Sequence, residues 1–570
     1  MKRYLKLFNH HDDYLQYVNS GEMERSNVSY CIDKNEIHYN PINYMEQPLT
    51  ITALEDANVT FTINKNVGTQ TLQNISYSLD GVNWTTINNQ NNKSEAIPIT
   101  IHLKKGESSF WKGQGNAISV LYGSVHTYSK FSSDGKFYVS GNIMSLLYND
   151  DFTEEKTLNT EYTFAGLFNQ CTNLVSVANL KLPATTLADF CYFNMFYRCR
   201  LLTSTPELPA TTLAEYCYAY MFEDCTSLVN APELPSTTLV ANCYRNMFNR
   251  CTALTTAPEL PATTLKMYCY QSMFQGCTSL VNAPELPAAT TQIGCYYSMF
   301  KDCTSLVTAP EINTTNTSYN CCDSMFEGCT SLETVQSLPN TKIIVRDAYS
   351  GMFKGCTSLT TVPDLTATTV SQNGYLSMFE GCTSLVSAPQ ISATTVRDFA
   401  FKNMFKNCTS LTTVTELPAT TLGTNCYQSM FEGCTSLVNS TALELPATTL
   451  ANSCYMDMFK NCTQLIYIPN LHAETLTEYC YSGMFENTAI TVAPDLCANT
   501  LVEGCYNTMF KGCSSLHYIY ASFLTTPSAT YTYQWVLGVA DEGTFVKSPH
   551  ATWDVTGDNG IPEDWEIELN

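Results

Sequence analysis

Tyr218-Ala219-Tyr220-Met221-Phe222-Glu223-Asp224-Cys225-Thr226-Ser227-Leu228 is the stretch whose reading decides the fold, because near copies of it return through almost two thirds of the chain. Aligned on the central phenylalanine, the copies sit at Phe168, Phe196, Phe222, Phe248, Phe274, Phe300, Phe326, Phe353, Phe379, Phe405, Phe431, Phe459, Phe485 and Phe510. The step is 26 residues in most cases and 25 to 28 in the rest. A fixed period of this size marks a stacked array, in which each repeat buries its apolar face only against its neighbours.

Residues 213–239 show how a unit is built. Leu213, Tyr218, Met221, Phe222, Cys225, Leu228, Ala231 and Leu234 are apolar and recur in nearly every copy. Apolar residues at 217, 218, 221, 222 and 225 have a three-and-four spacing, which predicts two turns of helix over 217–225. Residues 228–234 read as extended, and Pro232 cannot donate to a sheet ladder, so each strand is short or interrupted there. Pro235 and the Ser-Thr-Thr after it close the unit with a turn. The expected repeat is short helix, short strand and turn, with strands stacked in parallel. At about 4.8 Å per strand the array spans on the order of 65 Å.

Cysteine is abundant at 26 residues, but its arithmetic is not that of disulfides. Thirteen stand three residues after the central Phe, from Cys171 to Cys513, and ten stand five before it, from Cys191 to Cys505; only Cys31, Cys322 and Cys497 fall outside these columns. Thr488, Ala348, Gly374 or Ala400 replaces cysteine in some copies. A disulfide or metal site would not survive that loss, so the columns are expected to be buried free thiols serving as small hydrophobes. Zinc has the wrong pattern, with no C-x-x-C pair and only eight histidines.

Lys and Arg total 29 against 52 Asp and Glu, a net charge of −23. That balance argues against nucleic acid or an anionic membrane as partner, since both need basic patches. No apolar run is long enough to span a bilayer, and the amino terminus lacks a signal-peptide core. Work outside the cell would then require another exit route or a longer precursor.

Residues 1–48 read as a short amino-terminal module ending in Tyr30-Cys31 and His38-Tyr39-Asn40-Pro41. His10, His11, Asp12 and Asp13 imitate a metal site but read better as surface polar residues opening a helix. From 49 to 150 the period becomes two, with Leu49, Ile51 and Ala53, then Val59, Phe61 and Ile63, then Tyr77 and Leu79, then Ile99, Ile101 and Leu103 alternating with polar residues. Asp80-Gly81 supplies a hairpin turn, and the segment reads as a β-sandwich acting as spacer. After residue 520 the pattern lapses into an aromatic tail through 570, as a solenoid end requires a cap. Asp554, Asp558, Glu563 and Asp564 suggest a calcium loop, but the register of such loops fails.

The units resemble the BspA-like leucine-rich repeats of gut Bacteroidales and their phages, crAss-like or related. The match is carried by Met273-Phe274-Gln275-Gly276-Cys277-Thr278-Ser279-Leu280 through Glu285-Leu286-Pro287, over roughly 170–520. The amino-terminal segment and the Gly543-Thr544-Phe545-Val546-Lys547 and Gly560-Ile561-Pro562-Glu563-Asp564-Trp565 tail resemble modules of proteins from the same phages. The resulting expectation is an α+β chain. An anchoring module at 1–48 and a β-sandwich at 49–150 precede a leucine-rich-repeat solenoid of about fourteen 26-residue units at 151–520, and a cap fills 521–570.

No nucleophile elbow, phosphate loop or His-Glu-x-x-His occurs, so no catalytic, cofactor-binding or metal residue is assigned and no enzyme is expected. Eleven residues after the central Phe, allowing for longer and shorter units, stand Glu207, Glu233, Glu259, Glu285, Glu311, Asp364, Glu416, Glu444 and Asp495. They should form one exposed column, the candidate binding face for cations or a basic partner. The plainer alternative, a solvated edge that keeps the array in solution, is preferred. Residues 313–316 and 342–346 depart from the repeat and are further contact candidates.

Two binding roles follow from the resemblance. The first is a phage virion fibre or appendage that docks on virion proteins through its amino-terminal module and binds a bacterial surface glycan or protein receptor. The second is a bacterial cell-surface adhesin. A glycan-degrading enzyme would need a paired-carboxylate cleft that a repeat face does not supply. Fibre proteins are often trimers, though no heptad stretch here supports a homo-oligomer directly.

Overall fold

The computed structural model describes residues 29–33, 36–40, 43–64, 72–89, 95–122, 125–339, 341–440 and 443–569. The segment at 4–8 and the His/Asp cluster at 10–13 lie outside the described residues. Strands β1 (Ser29–Asp33) and β2 (Glu36–Asn40) pair as an antiparallel hairpin. There follow β3 (Leu49–Ala53), β4 (Ala57–Ile63), β5 (Leu72–Ser78), β6 (Thr85–Asn88), β7 (Ile97–Leu103), β8 (Ser108–Gly115), β9 (Val120–Tyr122), β10 (Val125–Thr127), β11 (Lys130–Ser133), β12 (Phe137–Asn142) and β13 (Leu174–Lys181). One sheet runs β13-β12-β3-β8-β5-β6 and a second runs β11-β4-β7. They meet through Phe61, Trp111 and Phe131, whose ring centroids lie 4.5 to 5.7 Å apart. Leu79, read as an inward partner of Tyr77, is exposed, because β5 ends at Ser78 in a turn held by Asp80.

The array starts on this module without a break in packing. Phe131 stacks on Phe168 at 5.4 Å, and β12 pairs in parallel with β13, which belongs to the first coil. One apolar core runs from Leu49 to Trp565.

The helix expected in each repeat is absent, and the α+β class is corrected to a mostly-β solenoid. Among the described residues the one α-helix is α1 (Ser145–Tyr148), before the array. Residues 217–225 form consecutive tight turns instead, because Tyr216, Tyr220 and Asp224 have φ of 54°, 59° and 60°. A left-handed residue at every fourth position ends any α-helical run. The N–H groups of Ala219, Met221, Glu223 and Cys225 reach back three residues, at 3.1 to 3.3 Å. Those of Tyr218, Tyr220, Phe222 and Asp224 cross to the carbonyls of Cys243, Arg245, Met247 and Asn249 on the next coil, at 2.7 to 3.1 Å. The apolar pairs 217/218 and 221/222 therefore recur with period four, matched to the turns. A helix would have rotated such pairs by about 40° per step.

Two aromatic columns fill the coils. From Phe168 to Phe510 the central rings stack at 5.3 to 6.1 Å with planes within 11° of parallel. The second column holds Tyr192, Tyr218, Tyr244, Tyr270 and Tyr296, pauses at Cys322, and resumes from Tyr349 to Tyr506 with Phe401 among them. The cysteines three after the central Phe also act as hydrogen-bond donors. Cys225 Sγ donates to the Phe196 carbonyl at 3.1 Å and Cys251 Sγ to the Phe222 carbonyl at 3.1 Å, and so along the array. Burial pushes the Cys217, Cys303 and Cys408 thiols up to about 12.

Prolines keep the opposite side from forming regular strands, and it is held by single parallel bridges such as Asn230 to Thr256 to Asn282 to Thr308. Two-residue strands β14 (Ile343–Ile344), β15 (Thr369–Val370) and β16 (Thr395–Val396) occur where Ile or Val follows the turn. The tail continues the coil: Phe510 N–H donates to the Trp535 carbonyl at 2.8 Å, and β17 (Tyr518–Ala521), β18 (Thr544–Lys547) and β19 (Glu566–Leu569) pair in parallel. Each tail indole finds an acceptor, Trp535 on Gly560, Trp553 on Phe523 and Trp565 on Ala540. Asp554 is taken by the buried ammonium of Lys547.

Two outcomes follow. The hydroxyls of Tyr192, Tyr218, Tyr349 and Tyr427 are buried without a partner. Since an unpaired buried hydroxyl costs about 1–3 kcal/mol, Tyr427→Phe should raise the thermal midpoint; a lower midpoint would show that the hydroxyl is satisfied. Cys497 is exposed while the array's other cysteines are buried. In a Cys31→Ser background, a thiol reagent should therefore label the native chain at Cys497 alone, and Cys497→Ser should abolish labelling until denaturant is added.

Candidate binding faces of the array

The strand side carries the acidic column. All nine of Glu207, Glu233, Glu259, Glu285, Glu311, Asp364, Glu416, Glu444 and Asp495 are exposed, each ahead of a buried residue that points inward. Parallel bridges such as Leu286 to Ile312 and Leu365 to Ile391 keep the coils in register, so the carboxylates line up one coil apart. Ser337, Gln390 and Asn470 interrupt the line. Three members have local partners: Lys181 Nζ meets Glu207 at 3.2 Å, Asn313 Nδ2 donates to Glu311 at 3.0 Å, and the Gln390 N–H donates to Asp364 at 3.0 Å. Among the described residues, no group of three His, Cys, Asp or Glu side chains is disposed to hold a metal ion, and no helix is long and apolar enough to cross a membrane.

The turn side holds a second charged column that the acidic count concealed. The residue just after the central Phe alternates in sign: Lys301, Glu327, Lys354, Glu380, Lys406, Glu432, Lys460, Glu486, Lys511. Lys301–Glu327, Lys354–Glu380, Lys406–Glu432 and Lys460–Glu486 are ion pairs of 2.8 to 3.1 Å between neighbouring coils. Burial opposes charge on Lys301 and Lys460, and the facing carboxylates more than offset it, leaving both ammoniums above the ordinary lysine range. Alternation avoids like charges on adjacent coils, where each pair is worth about 0.2–1 kcal/mol. The signal was present in the sequence as a single position read down the repeats.

Nearer the amino terminus the same position reads Tyr197, Glu223, Asn249 and Gln275, with no lysine facing Glu223. Burial pushes the Glu223 carboxyl from the ordinary 4.5 to about 7, against the opposing pull of Arg250 and Arg198. Flanking this acid are arginines and half-buried rings. Arg198 and Arg200 pair with Asp224 at 3.5 and 2.7 Å, and Phe190 stacks between Tyr162 and Tyr216 at 4.7 Å on each side.

Between about pH 4.5 and 7 the native state holds a proton on Glu223 that the unfolded chain has released, so stability falls as pH rises through this window. Glu223→Gln removes that loss. Its thermal midpoint relative to the parent should climb from pH about 4.5 to about 7 and stay level above; a difference independent of pH would show that Glu223 titrates normally.

Among family models, one agrees with the repeat read from the residues. The BspA type leucine rich repeat region matches in six copies, over residues 157–281, 192–315, 267–437 and 378–517. Among solved structures, a leucine-rich repeat protein from Eubacterium ventriosum ATCC 27560 is 13% identical, covering 75% of this chain and 95% of its own, with a TM-score of 0.26. The TLR13–ssRNA13 complex is 10% identical, covering 72% and 84%, with a TM-score of 0.15. No curated protein matches. Repeats of this family and solenoids of this fold are typically non-enzymatic binding scaffolds. Matched across most of residues 157–517, well over half of its 570, the chain belongs to the BspA-type leucine-rich repeat family.

Proposed function

We propose that the chain is a non-enzymatic attachment protein of a phage virion, a tail or head fibre or appendage whose array binds the bacterial cell surface or another virion protein. The observation that carries a binding role is the division of the coil surface. On the strand side the same small or acidic residues return coil after coil. On the turn side, the position three before the central Phe reads Phe193, Ala219, Arg245, Gln271, Tyr297, Asp323, Ser350, Leu376 and Lys402. A face that changes at every coil presents a non-periodic pattern, which is what complementarity to one receptor requires. The virion reading is supported by the resemblance of residues 30–41 and of the 543–565 tail to phage modules. On this reading the partners are a surface glycan or protein receptor at the array and virion proteins at the amino-terminal module.

A bacterial cell-surface adhesin is the second reading, supported by family membership. Immunogold labelling and mass spectrometry of purified particles, beside washed uninfected cells of the source, separate the two. The expected result is label at an appendage of the particle. Label on the cell envelope with none on particles overturns the virion role and leaves the adhesin.

A further inference from the structure

We propose that the turn face spanning the coils of Phe222, Phe248 and Phe274 is a glycan-binding patch, in which a neutral, hydroxyl-rich oligosaccharide bonds to Glu223, Arg245, Asn249 and Gln271 and rests on the neighbouring tyrosines. It deepens the attachment reading and rests on it.

Four polar atoms in this patch are buried and lack any hydrogen-bond partner: Glu223 Oε2, Arg245 Nε, Asn249 Oδ1 and Gln271 Oε1. They belong to two adjacent columns on three consecutive coils. Glu223 and Asn249 follow Phe222 and Phe248, while Arg245 and Gln271 stand three before Phe248 and Phe274. The backbone fixes their register, the Asp224 N–H donating to the Asn249 carbonyl at 2.7 Å and the Asn246 N–H to the Gln271 carbonyl at 2.8 Å. Asn249, whose oxygen is one of the four, is only 7% exposed. Elsewhere in the array the orphan atoms are hydroxyls, of core tyrosines or of single serines and threonines. Among the described residues of the array, only here do buried atoms of side-chain amide, guanidinium and carboxyl groups lack partners, the Arg245 guanidinium being held elsewhere by Nη1 donating to Asn242 Oδ1 at 3.4 Å.

The chemistry of the set selects the ligand. Three atoms that accept beside one that donates match a sugar, whose adjacent hydroxyls do both. The rim is aromatic: Tyr197, Tyr216, Tyr220 and Tyr268 are half-buried. The ring stack that includes Phe190 and Tyr216 stops at Tyr216, because Asn242 takes that position on the next coil. The side of the Tyr216 ring facing the patch is therefore without a ring partner among the described residues, and an apolar face with a few convergent polar groups is how small-ligand sites are built. The arginines do not make this an anion site, since Arg198 and Arg200 already face Asp224, and a net charge of −23 repels a polyanion.

The test uses the full chain on an array of defined neutral oligosaccharides, followed by calorimetric titration of the best-bound one. At least one neutral oligosaccharide should bind, and Tyr216→Ala and Asn249→Leu should each weaken it on the order of tenfold, as expected from about 1.4 kcal/mol. Lys104→Ala, in the exposed turn between β7 and β8, should leave it unchanged. Gln271→Leu guards against simple misfolding. It removes an orphan atom, so a purely structural role gives a higher thermal midpoint with unchanged binding, whereas the proposal requires weaker binding from a folded chain. Binding to no neutral oligosaccharide, to acidic ones only, or equally by parent and patch variants overturns it. Particle localisation is scored independently, so a virion protein that binds no glycan would defeat this inference alone.

Discussion

Every second N–H of the turn face belongs to the next coil, and the rest of the array follows from that commitment. Within 217–225, four amides bond across the coil boundary and five turn back into their own coil. A single coil would leave the four crossing donors in water and its aromatic rings uncovered, so the smallest stable unit is a stack. The left-handed residue at every fourth position is what points the amides outward along the axis. Its steric demands then propagate between coils. A Cβ on Gly433 would lie 2.4 Å from Asn407 Oδ1, and one on Gly512 would lie 2.1 Å from Asn487 Oδ1. Glycine on the next coil makes room for Asn407 and for Asn487, whereas Asn461 is met by Asn487, whose Nδ2 donates to its Oδ1 at 2.8 Å.

The repeat, its period, the inward phenylalanine and the burial of the cysteines were legible in the sequence because each is a matter of recurrence and side-chain class. The helix was not. Residues 217, 218, 221, 222 and 225 fit a three-and-four pattern and an exact four-residue pattern alike, and only the backbone at Tyr216, Tyr220 and Asp224 decides between them. Tyrosine at a positive φ carries no sequence signal, since glycine and asparagine are the residues that announce such a turn. Asn242 and Asn246, in the next coil, hold the same positions with φ of 57° and 55°. Read down the column instead of along one unit, Asn, Ser, Asp and Gly would have marked the turn.

Cysteine shows the same limit at the level of one atom. Its alternation with alanine, glycine and threonine identifies a small core position, yet size alone does not explain why sulfur is preferred. The structure supplies the reason in the Phe carbonyl of the preceding coil, which already accepts one backbone N–H and takes the thiol as a second donor at 3.1 Å. Thr488 keeps the pattern by another route, its Oγ1 donating to the Phe485 carbonyl at 2.9 Å. Both solutions remove a partly unsatisfied acceptor from the core while adding little volume.

The acidic column was legible because it is nearly invariant, and that same invariance limits what it can recognise. Glu233, Glu259 and Glu285 present one carboxylate per coil, a pattern that any register of a cationic partner would satisfy equally. Specificity requires positions released from the scaffold. The strand-side small residues are fixed by close packing between coils, the inward columns by the stacks, and much of the carboxy-terminal turn face by its Lys–Glu ladder. What remains free to differ lies on the turn face, at the position three before the central Phe along the array and, before Lys301, at the position just after it as well. There the ladder's charges give way to Tyr197, Glu223, Asn249 and Gln275, and the pairing between coils passes to Arg198, Arg200 and Asp224. Elsewhere in the array the groups left unpaired are hydroxyls, whereas here they are the stronger hydrogen-bonding atoms of Glu223, Arg245, Asn249 and Gln271, which is why the proposed partner is sought on these coils.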